Sequence, residues 1–333
     1  MVAMTGNAWS RARSSRTLSF MVPTVFPCVW AFLKKRANPV LRQPTFAASS
    51  ALSGPPRGSL STEYGAKADW RSIRIGAVQG PRRDTRGIVD ARELFARVRF
   101  RRRLPCAELQ PYLEHYWLID GHLDAPYTTH VVPHPSVNIV FEHGYAQPEI
   151  AGVGLGLFSR VLDGRIRVAG VQFRPGGFRP FRAEPVSEWT GRHVRLDVAS
   201  SLVLGVEDED ERVAALDAFL LGMGPVADPQ ASLAMELAQR IRDDREIRRV
   251  ADFARDCGVA VRTMQRLFAD YVGVSPKWVI LRYRIHEALE RAESEVEWAR
   301  LAADLGYSDQ AHLVRDFTQT VGVSPTAYAR ALT

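Results

Sequence analysis

The sequence has few cysteines, no long apolar run and, in its first 62 residues, no acidic side chain. Its 333 residues include only 3 cysteines, Cys28, Cys106 and Cys257, which lie far apart and lack the spacing of a metal site. This usage argues against a disulfide framework and is typical of a reducing compartment, so we expect a cytoplasmic protein. The most apolar stretch, residues 18–33, is interrupted by two prolines. It is short for a membrane span of about 20 residues, and no membrane partner is predicted.

Positive charge is concentrated at the N-terminus. Residues 1–103 hold 20 basic and 5 acidic side chains, residues 104–229 hold 9 and 17, and residues 230–333 hold 15 and 15. The net charge of +7 therefore describes the N-terminal part and gives no evidence that the remainder binds nucleic acid. Because the N-terminal part has no clear hydrophobic period, we expect residues 1–100 to be an extension, either disordered or mis-assigned as coding sequence.

Short alternating runs of apolar and polar residues follow. Residues 137–141 and 165–173 have the two-residue period of half-buried strands, and turns rich in proline, glycine and histidine separate them. We therefore expect residues 101–228 to form a β-rich domain. Helical patterns come next, at residues 212–221 and 232–241.

The last hundred residues contain one helix-turn-helix pattern twice, with the two copies about 49 residues apart. Residues 261–276 and 310–325 both end in Val-Gly-Val-Ser-Pro, and Arg266 in the first copy matches Arg315 in the second. A glycine precedes the second helix of each copy, where it suits the left-handed conformation of a tight turn. The repeat indicates one unit used twice. Two such units can place two helices in successive major grooves of DNA, about 34 Å apart.

Polar side chains on the second helix of each unit are the candidates for reading DNA bases. Arginine and glutamine pair with guanine and adenine edges, and capped helix starts hold phosphate oxygens. The predicted DNA-binding residues are Arg262, Thr263, Gln265, Arg266 and Lys277 in the first unit, and Gln310, Ala311, His312 and Arg315 in the second. The alternative for Arg266 and Arg315 is an ion pair with Asp270 or Asp316. The alternative for the region is a helical repeat used only for protein contacts.

These motifs resemble the DNA-binding domain of the AraC/XylS family of bacterial transcription regulators. The resemblance covers about residues 240–332, and it implies reading helices at 261–271 and 309–320 joined by a connecting helix at 276–291. It implies sequence-specific regulation of transcription, with double-stranded DNA and RNA polymerase as partners. It leaves open whether the chain forms a homodimer. One departure is Ala260, which stands where the family often has a capping residue and predicts fraying of the first reading helix.

Residues 112–117, 132–141 and 170–177 resemble a sensory domain that accompanies this DNA-binding domain in some bacterial regulators. The fold class is then α+β, a β-rich cupin-like domain followed by an all-α domain of two helix-turn-helix units at residues 229–333. The resemblance leaves the ligand unknown, and we expect a small-molecule effector in an apolar pocket. The candidate effector-binding residues are Trp117, Phe141 and Phe173, with Arg174 as a partner for an anion. The alternative is that the three aromatic residues belong to the core.

Histidines in the same domain raise the alternative of a metal site. His130, His134 and His143, with Glu142, are residue types that coordinate metal ions in cupin-like barrels. However, the usual His-x-His spacing is absent, and no Ser-His-Asp, phosphate-loop or dinucleotide-binding pattern stands out. We therefore predict no enzyme activity, no cofactor and no metal. A cupin-type metal-dependent enzyme or binding protein fused to a helical domain is kept as the alternative function.

Overall fold

A computed structural model describes residues 87–292 and 297–332. The expectation of an N-terminal extension therefore falls mostly on residues outside the described ranges. A short helix, α1 (Ala91–Arg97), and the first strand, β1 (Arg99–Arg103), come ahead of residue 101, the start expected for the β-rich domain. These two elements lie within the span expected to be an extension, and the domain bounds stay a prediction.

Six antiparallel strands form one sheet in the order β1-β2-β5-β3-β4-β6. The strands after β1 are β2 (Leu113–Val131), β3 (Asn138–Glu142), β4 (Glu149–Ala151), β5 (Phe158–Phe173) and β6 (His193–Arg195). The long strands β2 and β5 pair along most of their length, with a register shift between Leu123 and Tyr127. The β-rich region is thereby confirmed. The outer strands β1 and β6 do not pair with each other in the described ranges, so the cupin-like barrel stays a prediction.

Helices occupy the remainder of the described chain and confirm the α+β class. Two 3-10 turns (Arg179–Phe181 and Val186–Glu188) lie between β5 and β6. The α-helices that follow β6 are α2 (Ser201–Leu204), α3 (Glu209–Gly222), α4 (Pro229–Asp243), α5 (Val250–Asp256), α6 (Val261–Tyr271), α7 (Pro276–Arg291), α8 (Trp298–Asp304), α9 (Gln310–Val321) and α10 (Pro325–Leu332). The bounds of α6 and α7 are those predicted for the first reading helix and the connecting helix. None of the described helices has the length and apolar character needed to cross a membrane.

The apolar core extends from the sheet into the first helix-turn-helix unit, α5 and α6. Phe141 and Phe173 of the sheet belong to the same buried cluster as Met264 and Phe268 of α6. A second cluster fills the second unit, α8 and α9, and includes one fully buried sheet-domain residue, Val132. Burial of apolar surface is the main stabilising term in folding, so the first unit depends on the β-rich domain more than the second unit does.

Candidate nucleic-acid interface

The first reading helix, α6, buries one face and exposes the other. Met264, Leu267 and Phe268 are buried against the core. The four predicted base-reading residues are all exposed, namely Arg262, Thr263, Gln265 and Arg266. Ala260 makes no side-chain capping bond at the helix start, which agrees with the uncapped start inferred from the sequence. The helix therefore presents a polar, positively charged surface, and its opposite face is packed against the core.

The second reading helix, α9, has the same division. Leu313 and Phe317 are buried, and Gln310, Ala311 and Arg315 are exposed. The carboxylate of Asp309 accepts a hydrogen bond from the backbone N–H of His312 at 2.7 Å, so the predicted cap is present. The pKa of Asp309 lies below its usual value, mainly because of this backbone hydrogen bond.

His312 is the one predicted DNA-binding residue among the nine that is half-buried. Its Nδ1 lies 3.2 Å from Ser308 Oγ, and its ring packs edge-on against Tyr307 with the centroids 5.1 Å apart. Nε2 lies 3.7 Å from a carboxylate oxygen of Asp316. These contacts fix the ring at the start of α9, beside the exposed Gln310 and Ala311.

The ion pairs that could have engaged the two matching arginines do not form. In the described part of the chain, Arg266 makes no ion pair with Asp270, and Arg315 makes none with Asp316, whose nearest basic partner is His312. An exposed guanidinium keeps its planar set of donors for an external acceptor. Both arginines are thus available to a ligand, although their base contacts remain predictions.

The connecting helix, α7, begins with the predicted capping residue, at a helix start that we expect to bind DNA phosphate. The hydroxyl of Ser275 accepts a hydrogen bond from the backbone N–H of Trp278 at 3.2 Å, and Pro276 occupies the first turn. Lys277 is exposed beside it. Ser324 caps α10 in the same way, through the N–H of Ala327 at 3.2 Å.

Arg284 on α7 joins the two helix-turn-helix units. Its Nη2 donates to the carbonyl of Arg248, just before α5, at 3.3 Å. Its Nη1 donates to the carbonyl of Gly306, in the turn before α9, at 3.5 Å, and the guanidinium lies over the Tyr307 ring. Burial lowers the pKa of Arg284. We describe Arg284 as a positioning residue, because it holds backbone from both units without lying on either reading helix.

The β-rich domain contacts the end of the first reading helix directly. Thr190 Oγ1 donates a hydrogen bond to the carbonyl of Gly273 at 2.8 Å. The hydroxyl of Tyr271, the last residue of α6, donates to the carboxylate of Asp228 at 2.8 Å. Burial, followed by this hydrogen bond, raises the pKa of Tyr271 to about 12, so the hydroxyl stays a donor at neutral pH.

The four residues predicted to bind an effector have structural partners. Phe141 and Phe173 are fully buried in the main core cluster. The Trp117 ring covers Gly170 on the neighbouring strand, where a side chain would overlap it. Arg174 Nε donates to the carbonyls of two residues that precede or begin β2, Gln110 at 3.1 Å and Leu113 at 3.2 Å. Each of the four residues has a packing or hydrogen-bonding role, and effector binding by them stays a prediction.

Three of the four residues of the metal alternative have separate partners. His130 Nδ1 lies 2.8 Å from Ser159 Oγ, and Glu142 forms an ion pair with Arg160 at 2.6 Å. His134 stacks on His286 with the ring centroids 4.1 Å apart. Within residues 87–292 and 297–332, no group of three or more His, Cys, Asp or Glu side chains is arranged to hold a metal ion.

The fold and this exposed face define a DNA-binding protein with two helix-turn-helix units. Residues 253–331 match the model of a helix-turn-helix domain family. The domain is of the AraC type, as the sequence predicted, and the chain is a DNA-binding transcription regulator. Residues 101–195 match a family described as a domain of unknown function.

Solved structures show weaker similarity. The C-terminal domain of AraT, a response regulator from Geobacillus stearothermophilus, is 22% identical, and the alignment covers 29% of this chain and 82% of that chain with a TM-score of 0.27. ToxT from Vibrio cholerae is 13% identical over 71% of this chain and 96% of its own, with a TM-score of 0.37. A structure of ToxT bound to an unsaturated fatty acid has a TM-score of 0.33, at 13% identity over 71% of this chain and 92% of its own. A comparison with curated proteins gives no match.

Proposed function

We propose that the chain is a sequence-specific regulator that reads DNA with both helix-turn-helix units, under the control of a small-molecule effector bound by the β-rich domain. The observation that carries the proposal is the shared design of α6 and α9. Each helix buries its apolar side chains and leaves a matching arginine, Arg266 or Arg315, exposed without an ion pair in the described ranges. A surface used only for packing would bury these groups or pair them.

The proposed contacts divide into two kinds. Arg262, Gln265 and Arg266 on α6, with Gln310 and Arg315 on α9, carry the donors that pair with base edges. Lys277 at the start of α7 has the position and charge for a phosphate oxygen, which contributes affinity without sequence preference. Thr263, Ala311 and His312 complete the proposed surface.

Selection of DNA from a random pool by the full-length protein tests this function. We expect an enriched site with two elements about one helical turn apart, because two reading helices enter successive major grooves. Replacing Arg266 with Ala should remove preference in one element, and replacing Arg315 with Ala should remove it in the other. The control is Arg255→Ala, which removes an exposed arginine from α5, outside both reading helices. A pool with no enriched sequence would contradict the proposal.

Effector control makes a separate claim. The β-rich domain contacts the end of α6 through Thr190 and Asp228, so a ligand that changes this domain has a direct path to a reading helix. Coupling between sites is typically ~1–3 kcal/mol and must be reciprocal. A ligand that stabilises the protein against heat should therefore shift the DNA titration, and DNA should shift the ligand titration equally. We further propose that the protein acts in the cytoplasm together with RNA polymerase. The proposal leaves open whether the protein is a monomer or a homodimer.

A further inference from the structure

The two helix-turn-helix units pack against different parts of the connecting helix, α7. Tyr283 is the last residue of α7 in the buried cluster that contains the first unit. Ile285 is the first residue of α7 in the cluster of the second unit. The boundary between the two apolar clusters therefore falls at Arg284, which lies between these two residues in the sequence.

Packing at this boundary is incomplete. A small cleft of about 40 Å³ lies there, which is large enough to hold a water molecule. Ile247, just before α5, lines the cleft from the first unit, and Leu305, just after α8, lines it from the second. Arg284 lines it from α7. Side chains beside a void lose packing contacts, so the relative position of the two units depends here on polar bonds.

Arg284 supplies these polar bonds to both units. Its Nη2 donates to the carbonyl of Arg248 at 3.3 Å, and its Nη1 donates to the carbonyl of Gly306 at 3.5 Å. Because the guanidinium is planar and rigid, it holds the two carbonyls at one separation. The same group lies 5.7 Å from the centre of the Tyr307 ring, which packs against His312 at the start of α9. The start of the second reading helix is thereby tied to the first unit.

The side chain of Arg248 adds a direct contact between the units. A side chain at Gly306 would begin 2.8 Å from Arg248 Cδ and 2.9 Å from its Nε, so Arg248 lies directly on the turn before α9. Gly258 has the equivalent place in the first unit, and a side chain there would meet no atom within 4 Å. The two glycines have similar φ values, +66° at Gly258 and +73° at Gly306. The contact with the other unit, and not the turn itself, distinguishes Gly306.

We propose that this interunit contact, formed by Arg284, Arg248 and Gly306, determines the spacing between the two DNA elements that the protein binds. Arg284 lies on neither reading helix, and it acts as a positioning residue that fixes the separation and rotation of α9 relative to α6. The inference rests on the proposed function, in which both helices read DNA. It adds that the protein accepts one spacing between the two elements.

The geometry of DNA makes this property measurable. Each base pair inserted between the elements moves the second element by about 3.4 Å along the axis and rotates it by about 34°. Two reading helices held rigidly cannot follow both changes and keep their base contacts. Two loosely joined helices can follow them, and their binding then varies only gradually with separation, as for modules on a flexible linker. A rigid interunit contact therefore predicts a steep dependence of affinity on spacing.

Titration of the full-length protein, followed by fluorescence anisotropy, tests the proposal on the selected DNA and on derivatives with one base pair inserted or removed between the elements. The wild-type protein should bind the derivatives about tenfold more weakly or worse, as expected when a base contact is lost. Arg284→Met keeps a stem of similar length against Tyr307 and removes both donors. Its penalty should fall to about threefold or less, because the two units can then adjust separately. Loss of charge or of stability would weaken all spacings alike and leave the penalty unchanged.

Gly306→Ala and Gly258→Ala provide a matched pair. Both substitutions place a methyl group on a glycine of positive φ, so the backbone strain is similar. Only the methyl group at residue 306 displaces Arg248 from the other unit. We therefore expect a reduced spacing penalty in Gly306→Ala and the wild-type penalty in Gly258→Ala.

Retention of the wild-type penalty in Arg284→Met overturns the proposal, whatever the affinity of this variant for the original spacing. If Arg284→Met does not fold, equal penalties in the two glycine variants overturn it. A wild-type protein that prefers the selected sequence but tolerates every spacing also overturns it, and leaves the regulator function intact. A wild-type protein that prefers no sequence contradicts the regulator function itself, so the two failures are distinguishable.

Discussion

Thr190 donates a hydrogen bond from Oγ1 to the backbone carbonyl of Gly273 at 2.8 Å, across the contact between the β-rich domain and the first helix-turn-helix unit. Gly273 belongs to the repeated pentapeptide Val-Gly-Val-Ser-Pro, and its φ of +90° is in the region that favours glycine. The matching glycine of the second unit, Gly322, faces the apolar side chain of Leu157. Identical turn sequences therefore have a polar anchor in one unit and an apolar neighbour in the other.

Replacing Thr190 with Val should destabilise the protein, because the shape is kept and the hydrogen bond to Gly273 is lost. The expected fall in the free energy of unfolding is about 1 kcal/mol, measured by urea denaturation. Thr128→Val, on an exposed strand position, serves as the control for the same chemical change. Equal stability of the two variants would show that the anchor contributes nothing.

Replacing Arg266 with Ala should cost about 1–3 kcal/mol of binding to the selected DNA and should relax preference at one or two base pairs. Lys277→Ala should weaken selected and random DNA alike and reduce the salt dependence, since a phosphate contact releases counterions. Competition gel shifts at two salt concentrations measure both effects. An equal loss on selected and random DNA for Arg266→Ala would reassign it to the phosphate backbone.

His115 should make the protein less stable as the pH falls from 7 to 5. Burial, and then the charge of Arg102, lowers the pKa of His115 to about 3, whereas the unfolded side chain has a pKa of about 6.5. Below the unfolded value only the unfolded chain takes up the proton, so the free energy of unfolding should fall by about 2 kcal/mol between pH 7 and pH 5.

His115→Gln isolates this contribution. Glutamine keeps an acceptor for Arg102 Nε, which lies 3.2 Å from the imidazole Nε2, and it does not titrate. Other groups, including His193, whose pKa is raised chiefly by its hydrogen bond with Glu149, titrate equally in both proteins. The difference between the two stability profiles should therefore appear below pH 6.5 and grow towards pH 5. Parallel profiles would refute the assignment.

Gly170→Ala should destabilise the sheet, because a methyl group there overlaps the Trp117 ring on the neighbouring strand. Overpacking of this kind costs about 1–3 kcal/mol, and thermal unfolding should show a lower midpoint. Gly156→Ala is the matched control, since a methyl group at that position meets no atom within 4 Å. Tryptophan fluorescence should report the displaced ring in the first variant and remain unchanged in the second.

The DNA-reading half could be predicted closely because its signals are local. Ser275 and Pro276 mark a helix start, and Gly258 marks a turn. Because the unit is repeated, each position can be checked against its counterpart in the second copy. These features locate the starts of α6 and α7, and the family resemblance supplied the remaining bounds. The buried residues Met264 and Phe268 follow from the same helical period.

The β-rich half was less predictable because its contacts are between residues distant in sequence. Alternation at 137–141 and 165–173 indicated strands, but it could not show whether Phe141 and Phe173 line a pocket or the core. The ion pairs between β1 and the start of α3 were missed altogether, although a signal existed. Residues 99–103 contain four arginines and residues 207–211 are all acidic, and only the fold shows that these two runs meet.

The two unequal cores have a consequence for local opening of the chain. The first reading helix belongs to the cluster that includes the sheet, so its amide hydrogens should exchange with solvent only in large-scale unfolding. The cluster around α9 is smaller and is closed mainly by residues of its own unit and of α7. Its amides should exchange earlier, through a partial opening that leaves α6 folded. On DNA, the second reading helix, α9, would leave its major groove first, while α6 stays bound in the other groove.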